Sequence, residues 1–206
     1  MEITEIYIYG ASGHGKVVLD VALRLGLIVK GFVDDDKIKK NLLDYPVFLF
    51  NNVKNYARNF ALGIGNNKIR EAIFEKLKKN KLNIASLIDP NSILSTHVAV
   101  GEGTVIFANA VINSSTTLGK GCIINTSAVV EHDCHIGDFV HISPNASLAG
   151  GVKIGKYTQI GIGACVKQNI IIGKNVLVGA GAVIVENIPD NVIVVGNPGR
   201  IIKTNE

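Results

Sequence analysis

The chain has 206 residues, 47% of them hydrophobic, no tryptophan and a formal net charge of +4. No apolar run reaches the ~18 residues of a bilayer span, and no charged-then-apolar leader opens the chain, so a cytoplasmic protein with no membrane span is expected. The basic residues form no single block, which argues against nucleic-acid binding, and an odd cysteine count of 3 fits a reducing compartment.

The first element is a strand, Ile6-Tyr7-Ile8-Tyr9, running into Gly10-Ala11-Ser12-Gly13-His14-Gly15. A helix follows with Val18, Val21, Ala22 and Leu25 on one face and Gly26 at its end. A second strand over residues 27–33 ends in Asp34-Asp35-Asp36, and a third over 60–64 ends in Gly65-Asn66-Asn67. A second helix then carries Ile69, Ile73 and Leu77 at spacings of four. Strand, Gly-rich turn, helix and strand predict a Rossmann-like α/β unit over residues 1–84, with ligands at the carboxyl ends of its strands. Gly10, Ser12, Gly13, His14, Gly15, Asp34, Asp35, Gly65, Asn66 and Asn67 all fall on that edge. The turn is spaced G-x-x-G-x-G, which is not the dinucleotide fingerprint. Backbone N–H groups at a helix start can hold a phosphate, yet many such turns are Gly-rich for steric reasons alone. His14, inside this tight loop, is expected to be exposed and able to donate.

From Ile88 to Ile184 every sixth residue is Ile, Leu or Val, without a missed site. The fourth residue after each is usually small or β-branched, as in Thr104, Ala110, Thr116, Cys122, Ala128 and Cys134. Neither the 3.6 period of a helix nor the 2 of a strand explains a strict six. This is the hexapeptide repeat of a parallel β-helix, expected over residues 85–206 with its C-terminal tail. Three hexads close one triangular coil, so residues 18 apart stack, and the repeat makes between five and six coils.

His132, His135 and His141 lie within ten positions, in and after Val130-Glu131-His132-Asp133-Cys134-His135-Ile136. With Val130 and Cys134 inward, His132, Asp133 and His135 should point outward, and an imidazole beside a carboxylate on a rigid wall is a plausible base. Gly150 stands 18 residues after His132, directly over it, and Gly150-Gly151 should leave open space and N–H groups for an oxyanion. A zinc site is disfavoured, because the histidine separations are not multiples of 18, and no metal is expected. A plain solvated corner is the bland alternative. Cys122 and Cys134 read as core filler; Cys165 faces outward with nothing near it in sequence to activate it.

The two-part layout, with Gly10-Ala11-Ser12-Gly13-His14-Gly15, Ile64-Gly65-Asn66-Asn67 and Glu131-His132-Asp133, resembles the bacterial sugar acetyltransferases. That group includes the bacillosamine-type and perosamine N-acetyltransferases and the sialic acid O-acetyltransferase-like proteins. The resemblance implies a left-handed β-helix, a homotrimer with active sites between solenoids, and acetyl-CoA along the solenoid groove. It also implies a nucleotide sugar on the N-terminal unit. By motif match it implies His132 as general base, Asp133 as its orienting group and Gly150 as the oxyanion donor. His141 then matches a second active-site histidine. Asn125, Gly161, Gly163, Gly179, Gly196, Pro198 and Arg200 are expected along the cofactor. Bacillosamine enzymes carry Glu where this chain has Asp133, and perosamine enzymes carry Asp. The implied activity is direct acetyl transfer to the 4-amino group of a nucleotide-linked amino sugar, foremost a UDP-4-amino-4,6-dideoxyhexose. A sugar O-acetyltransferase and a non-catalytic binding solenoid stand as alternatives.

Overall fold

A computed structural model describes residues 3–205. The first strands alternate with helices because each needs cover on both faces. β1 (Glu5–Tyr9) leads to α1 (Gly13–Arg24) and β2 (Ile28–Val33), then β3 (Asn41–Leu42), β4 (Tyr45–Phe48) and the single turn α2 (Phe50–Val53). β5 (Asn59–Leu62), α3 (Asn67–Lys79) and β6 (Asn83–Ile84) complete the unit. The sheet order is β3-β4-β2-β1-β5-β6, parallel throughout except for the β3–β4 pair. Ile6 and Ile8 of β1 are fully buried beneath Val18, Val21 and Ala22.

Two details depart from the sequence reading. Leu25 caps the end of α1 and is 38% exposed, while Leu19 takes its place in the core. On α3 the buried stripe is Arg70, Ile73, Phe74 and Leu77, and Ile69 stands 54% exposed. A helix that packs on one side buries positions i, i+3, i+4 and i+7, and that spacing starts at residue 70 rather than 69.

The solenoid strands β7 to β23 recur at six-residue intervals from Leu87–Ile88 to Val183–Ile184, two residues each. In each, the second residue is the periodic aliphatic and points inward. Strands pair in parallel at a register of 18, for example Ile106↔Ile124 and Ile124↔Ile142. Three flat faces result. The first stacks β7, β10, β13, β16, β19 and β22, and is capped by β24 (Val192–Val195) and β25 (Arg200–Thr204). The second stacks β8, β11, β14, β17, β20 and β23, and the third stacks β9, β12, β15, β18 and β21. This is a left-handed parallel β-helix. The small residues lie inside the corners: Thr104, Ala110, Thr116, Cys122, Ala128 and Cys134 are all at most 1% exposed.

The corners impose a second period of six. From Gly103 to Gly181 every sixth residue has positive φ, among them Asn109 at 60°, Asp133 at 59°, Asn145 at 57° and Gly163 at 64°. L-residues pay for that region unless they are Gly, Asn or Asp. Phe139 and Tyr157 are the bulky exceptions. Both sit on the edge between the third and first faces, where the N-terminal unit docks. The Phe139 ring meets Phe74 of α3 at 5.5 Å and Tyr157 at 6.3 Å.

Replacing Ile160, which is fully buried in the prism, with Ala should destabilise the protein by about 2–5 kcal/mol. Replacing the exposed Lys153 with Ala should change stability by no more than about 0.5 kcal/mol. Urea denaturation of both variants is the check.

Candidate active site

The edge between the second and third faces carries the outward residues of the Glu131–Asp133 corner. Thr116, buried one coil below, donates to the Glu131 carbonyl at 2.7 Å and accepts from the Cys134 N–H at 3.1 Å. The Glu131 carboxylate is held by the Asn113 side-chain amide at 2.9 Å. With both flanks fixed, His132 and Asp133 project into solvent, with side chains 62% and 66% exposed. His132 Nδ1 lies 2.8 Å from Asp133 Oδ2. That hydrogen bond, more than any other influence, holds the imidazole pKa above its ordinary value. With Nδ1–H donating to the carboxylate, Nε2 is left as the proton acceptor.

Gly150 lies against this ring. A Cβ built there would stand 2.6 Å from His132 Cε1 and 2.7 Å from Nε2. The expected open space is therefore filled by the imidazole itself. Nor are both glycine N–H groups free: Gly151 donates to the His132 carbonyl at 2.9 Å. The Gly150 N–H has no partner among the described residues.

At the carboxyl edge of the N-terminal sheet a cleft of about 370 Å³ is lined by Tyr9, Gly10, Ser12, Asp34, Asp35, Lys39, Ile64, Gly65 and Asn66, among others. Gly10 and Gly15 are required by the backbone: a Cβ on Gly15 would come within 2.1 Å of the Gly10 carbonyl oxygen, and Gly10 has φ +116°. Gly13 has open space around it, and Ser12 begins α1 without a side-chain cap. The Asp34 carboxylate accepts from the Ala11 and Asp36 N–H groups and from Lys39. Asp35 takes the Tyr9 hydroxyl at 3.0 Å and Lys76 at 3.1 Å. Asn66 caps α3 through Ile69 N–H. Asn67 is a correction: its amide faces the solenoid, donating to the Tyr157 carbonyl at 2.7 Å and accepting from Arg70 at 2.7 Å.

His14 is the second correction. It is not an exposed donor but packs under the first solenoid face, its ring 5.6 Å from Phe107 and 6.2 Å from His141. Its Nε2 is buried without a hydrogen-bond partner. Burial, with Arg70 nearby, pushes its pKa down to about 4, and the same causes push His141 down to about 3. His141 Nε2 lies 3.0 Å from the Asn125 side-chain nitrogen, so Asn125 and His141 belong to the docking seam.

Gly161 and Gly179 owe their identity to the stack: a Cβ on Gly161 would meet the Val178 carbonyl at 2.4 Å, and one on Gly179 the Val195 side chain at 2.8 Å. Gly163 sits at an open corner. Gly196 (φ +95°), Pro198 and Arg200 lie together in the C-terminal hairpin, with Arg200 exposed and its guanidinium donating to the Gly199 carbonyl. His135 shares a hydrogen bond with Thr117 on the third face. Cys165 is exposed, while Cys122 and Cys134 are buried. Among the described residues no group of three or more His, Cys, Asp or Glu is assembled to hold a metal, and no helix is long and apolar enough to cross a membrane.

One chain holds these residues in separate groups. The cleft lies at the strand edge of the N-terminal unit, and the His14–His141–Asn125 seam lies where that unit meets the first face. Gly161, Gly163 and Gly179 follow the edge between the first and second faces, and His132, Asp133 and Gly150 lie on the edge between the second and third. Among the described residues, no hydrogen bond or ion pair joins residues 131–134 to the N-terminal unit.

Residues 5–77 match the PglD N-terminal domain family, and residues 115–150 and 151–186 match the bacterial transferase hexapeptide family. The acetyltransferase domain of PglB from Neisseria gonorrhoeae FA1090, solved with acetyl coenzyme A, is 37% identical. That match covers 98% of this chain and 100% of the other, with a TM-score of 0.92. The chain belongs to the bacterial sugar acetyltransferase family of the hexapeptide-repeat superfamily. PerB from Caulobacter crescentus, solved with CoA and GDP-perosamine, is 33% identical over 98% of both chains, at a TM-score of 0.92. UDP-N-acetylbacillosamine N-acetyltransferase of Bacillus subtilis (strain 168) is 38% identical over 110 residues, 50% of this chain and 51% of that protein. The chain thus spans about half the length of that curated relative.

Within this acetyltransferase fold, sequence reading missed Arg70, which joins the two units and is 1% exposed. The signal was its phase, three residues before Ile73 on the buried stripe, but a cation there reads first as surface.

The two depressed histidines set a pH dependence. In the unfolded chain both titrate near 6.5, in the folded protein near 4 and 3. Their contribution to stability is complete above about pH 6.5 and is lost as pH falls towards 4, because only the unfolded chain then binds the protons. Thermal melts should shift downward over that window. A His14→Asn variant should show a shallower acid limb.

Proposed function

We propose that the protein transfers the acetyl group of acetyl-CoA to the amino group of a nucleotide-linked amino sugar. The observation that carries this reading is the His132–Asp133 pair, 2.8 Å apart, with its ring laid against Gly150. The acceptor ammonium must lose a proton before it can attack. That proton goes to solvent; as the nitrogen of the neutral amine bonds to the thioester carbonyl carbon, His132 Nε2 takes a second proton from it, and Asp133 favours the imidazolium that forms. The Gly150 N–H, otherwise unpartnered, is the donor for the oxyanion. Collapse breaks the C–S bond, and the imidazolium returns its proton to the departing CoA sulfur. No acyl-enzyme is required.

The cleft of the N-terminal unit holds the nucleotide, and the acetyl-CoA path runs past Asn125, Gly161, Gly163 and Gly179 to Gly196, Pro198 and Arg200. Because the cleft lies on the N-terminal unit and His132 on the edge between the second and third solenoid faces, the proposed complete site needs a second copy. The second face supports this. Its outward residues are Ile93, 64% exposed, Val111, Val129, Ser147, Cys165 and Val183, a largely apolar, uncharged column suited to another solenoid. The proposed assembly is a homotrimer with three shared sites.

A thiol-release assay with UDP-, GDP- and dTDP-linked 4-amino-4,6-dideoxyhexoses tests the reading, with free sialic acid as the hydroxyl acceptor. Turnover of sialic acid alone would replace N-acetylation with O-acetylation, and no acetyl-CoA-dependent turnover would reject the enzyme. His132→Ala should lower turnover by roughly 10²–10⁴ while the melting temperature holds. Gly150→Ala keeps the N–H but drives a methyl into the imidazole, and should cost about 10² in turnover.

A further inference from the structure

Arg70 is 1% exposed and, among the described residues, has no carboxylate within salt-bridge distance. Its five N–H donors are all engaged. Nε donates to the Gly121 carbonyl at 2.7 Å, and Nη2 to Asn67 Oδ1 at 2.7 Å and the Phe139 carbonyl at 3.1 Å. Nη1 donates to the carbonyls of Ile64 at 3.1 Å and Gly65 at 2.9 Å. The last two bonds matter most. In a trans peptide the N–H points opposite to its C=O. Turning the Ile64 and Gly65 carbonyls inward onto the guanidinium turns the N–H groups of Gly65 and Asn66 outward. Neither N–H has a partner among the described residues, and both residues line the cleft at the strand edge.

We infer that Arg70 is a positioning residue for this cleft: anchored on two solenoid coils, it fixes the Gly65 and Asn66 N–H groups as paired donors for the diphosphate of the nucleotide sugar. This rests on the proposed nucleotide-sugar reading. Lysine cannot substitute, since one ammonium presents three donors from a point and cannot hold acceptors spread over a planar fork. A carboxylate beside Arg70 would weaken the device, because the guanidinium would then turn to the anion rather than to the two loop carbonyls.

The experiment compares wild type and Arg70→Lys by calorimetry with UDP, GDP, dTDP and acetyl-CoA, and by steady-state kinetics. The expected result is an at least tenfold loss of nucleoside-diphosphate affinity, matched in KM for the nucleotide sugar, with acetyl-CoA affinity within twofold. Unchanged diphosphate affinity, or an equal loss for both ligands, would overturn the role. If Arg70→Lys does not fold, Asn67→Ala, which loosens the same guanidinium, should show the same split at smaller size, and its absence counts equally against the role. A wild type that binds acetyl-CoA but none of the three diphosphates defeats this inference while leaving acetyl transfer standing. A wild type that acetylates but binds no acetyl-CoA-independent diphosphate defeats it as well.

Discussion

The structure depends on a closure condition. Eighteen residues must return the chain to its starting point one strand spacing higher, and each of the three turns must do so in about four residues. The left-handed backbone conformation at every sixth residue is what makes this possible, and the sequence supplies Gly, Asn, Asp or Ser at twelve of the fourteen sites between residues 103 and 181. Inside the prism, aliphatic side chains 18 apart then stack in columns, and apolar burial accumulates coil by coil although no single hexad buries anything alone. Threonines 104, 116 and 158 take up the carbonyl and N–H groups that the turns leave unpaired within the core. The result is a wall whose outward side chains have nearly fixed directions, which is what a catalytic pair on a surface needs.

The two places where the corner rule is broken identify where the second unit attaches. Phe139 and Tyr157 carry aromatic rings at positive φ, a strain that persists only where surrounding contacts repay it. Here they pack with Phe74, beneath Lys120 and Lys156, and Lys156 is ion-paired to Glu71 at 2.7 Å. The seam also buries Arg70 and two histidines kept neutral by the same burial that makes the guanidinium costly. A polar seam of this kind is demanding in geometry and therefore fixes one orientation of the α/β unit on the prism. A purely apolar seam would tolerate sliding.

The solenoid was almost wholly legible in the sequence, because a period of six over seventeen sites leaves one solution. All seventeen strands fall where the repeat puts them, and His132 meets Gly150 because 18-residue stacking is a property of the coil rather than of its decoration. The N-terminal unit was legible in outline only. Its short β3–β4 pair turns through Leu43 and Asp44, and the residue at positive φ, 52°, is Leu43 rather than the neighbouring Asp. His14 and Asn67 were read as ligand-facing because a Gly-rich edge in isolation is open. The solenoid residues that cover them lie 90 or more residues further along the chain, and no local pattern shows it. The same blindness hid Arg70, a cation whose acceptors are mostly backbone carbonyls, which carry no signature in side-chain chemistry.

Asp133 shows how closely the fold constrains the chemistry. It is the left-handed residue of its corner, at φ 59°, a conformation that Asp adopts readily because its short polar side chain can bond locally. The same turn sends the side chains of two successive residues, 132 and 133, out on one edge, where alternation along a strand would have placed them on opposite sides. A carboxylate one bond chain shorter than Glu then reaches the neighbouring Nδ1 directly. The proposed base and its proposed orienting group therefore need no tertiary contact to find each other. Only the proposed oxyanion donor, Gly150, comes from a different coil. On the proposed reading, substitutions can reshape the N-terminal cleft freely, while the proposed acyl-transfer corner stays bound to the geometry that closes each coil.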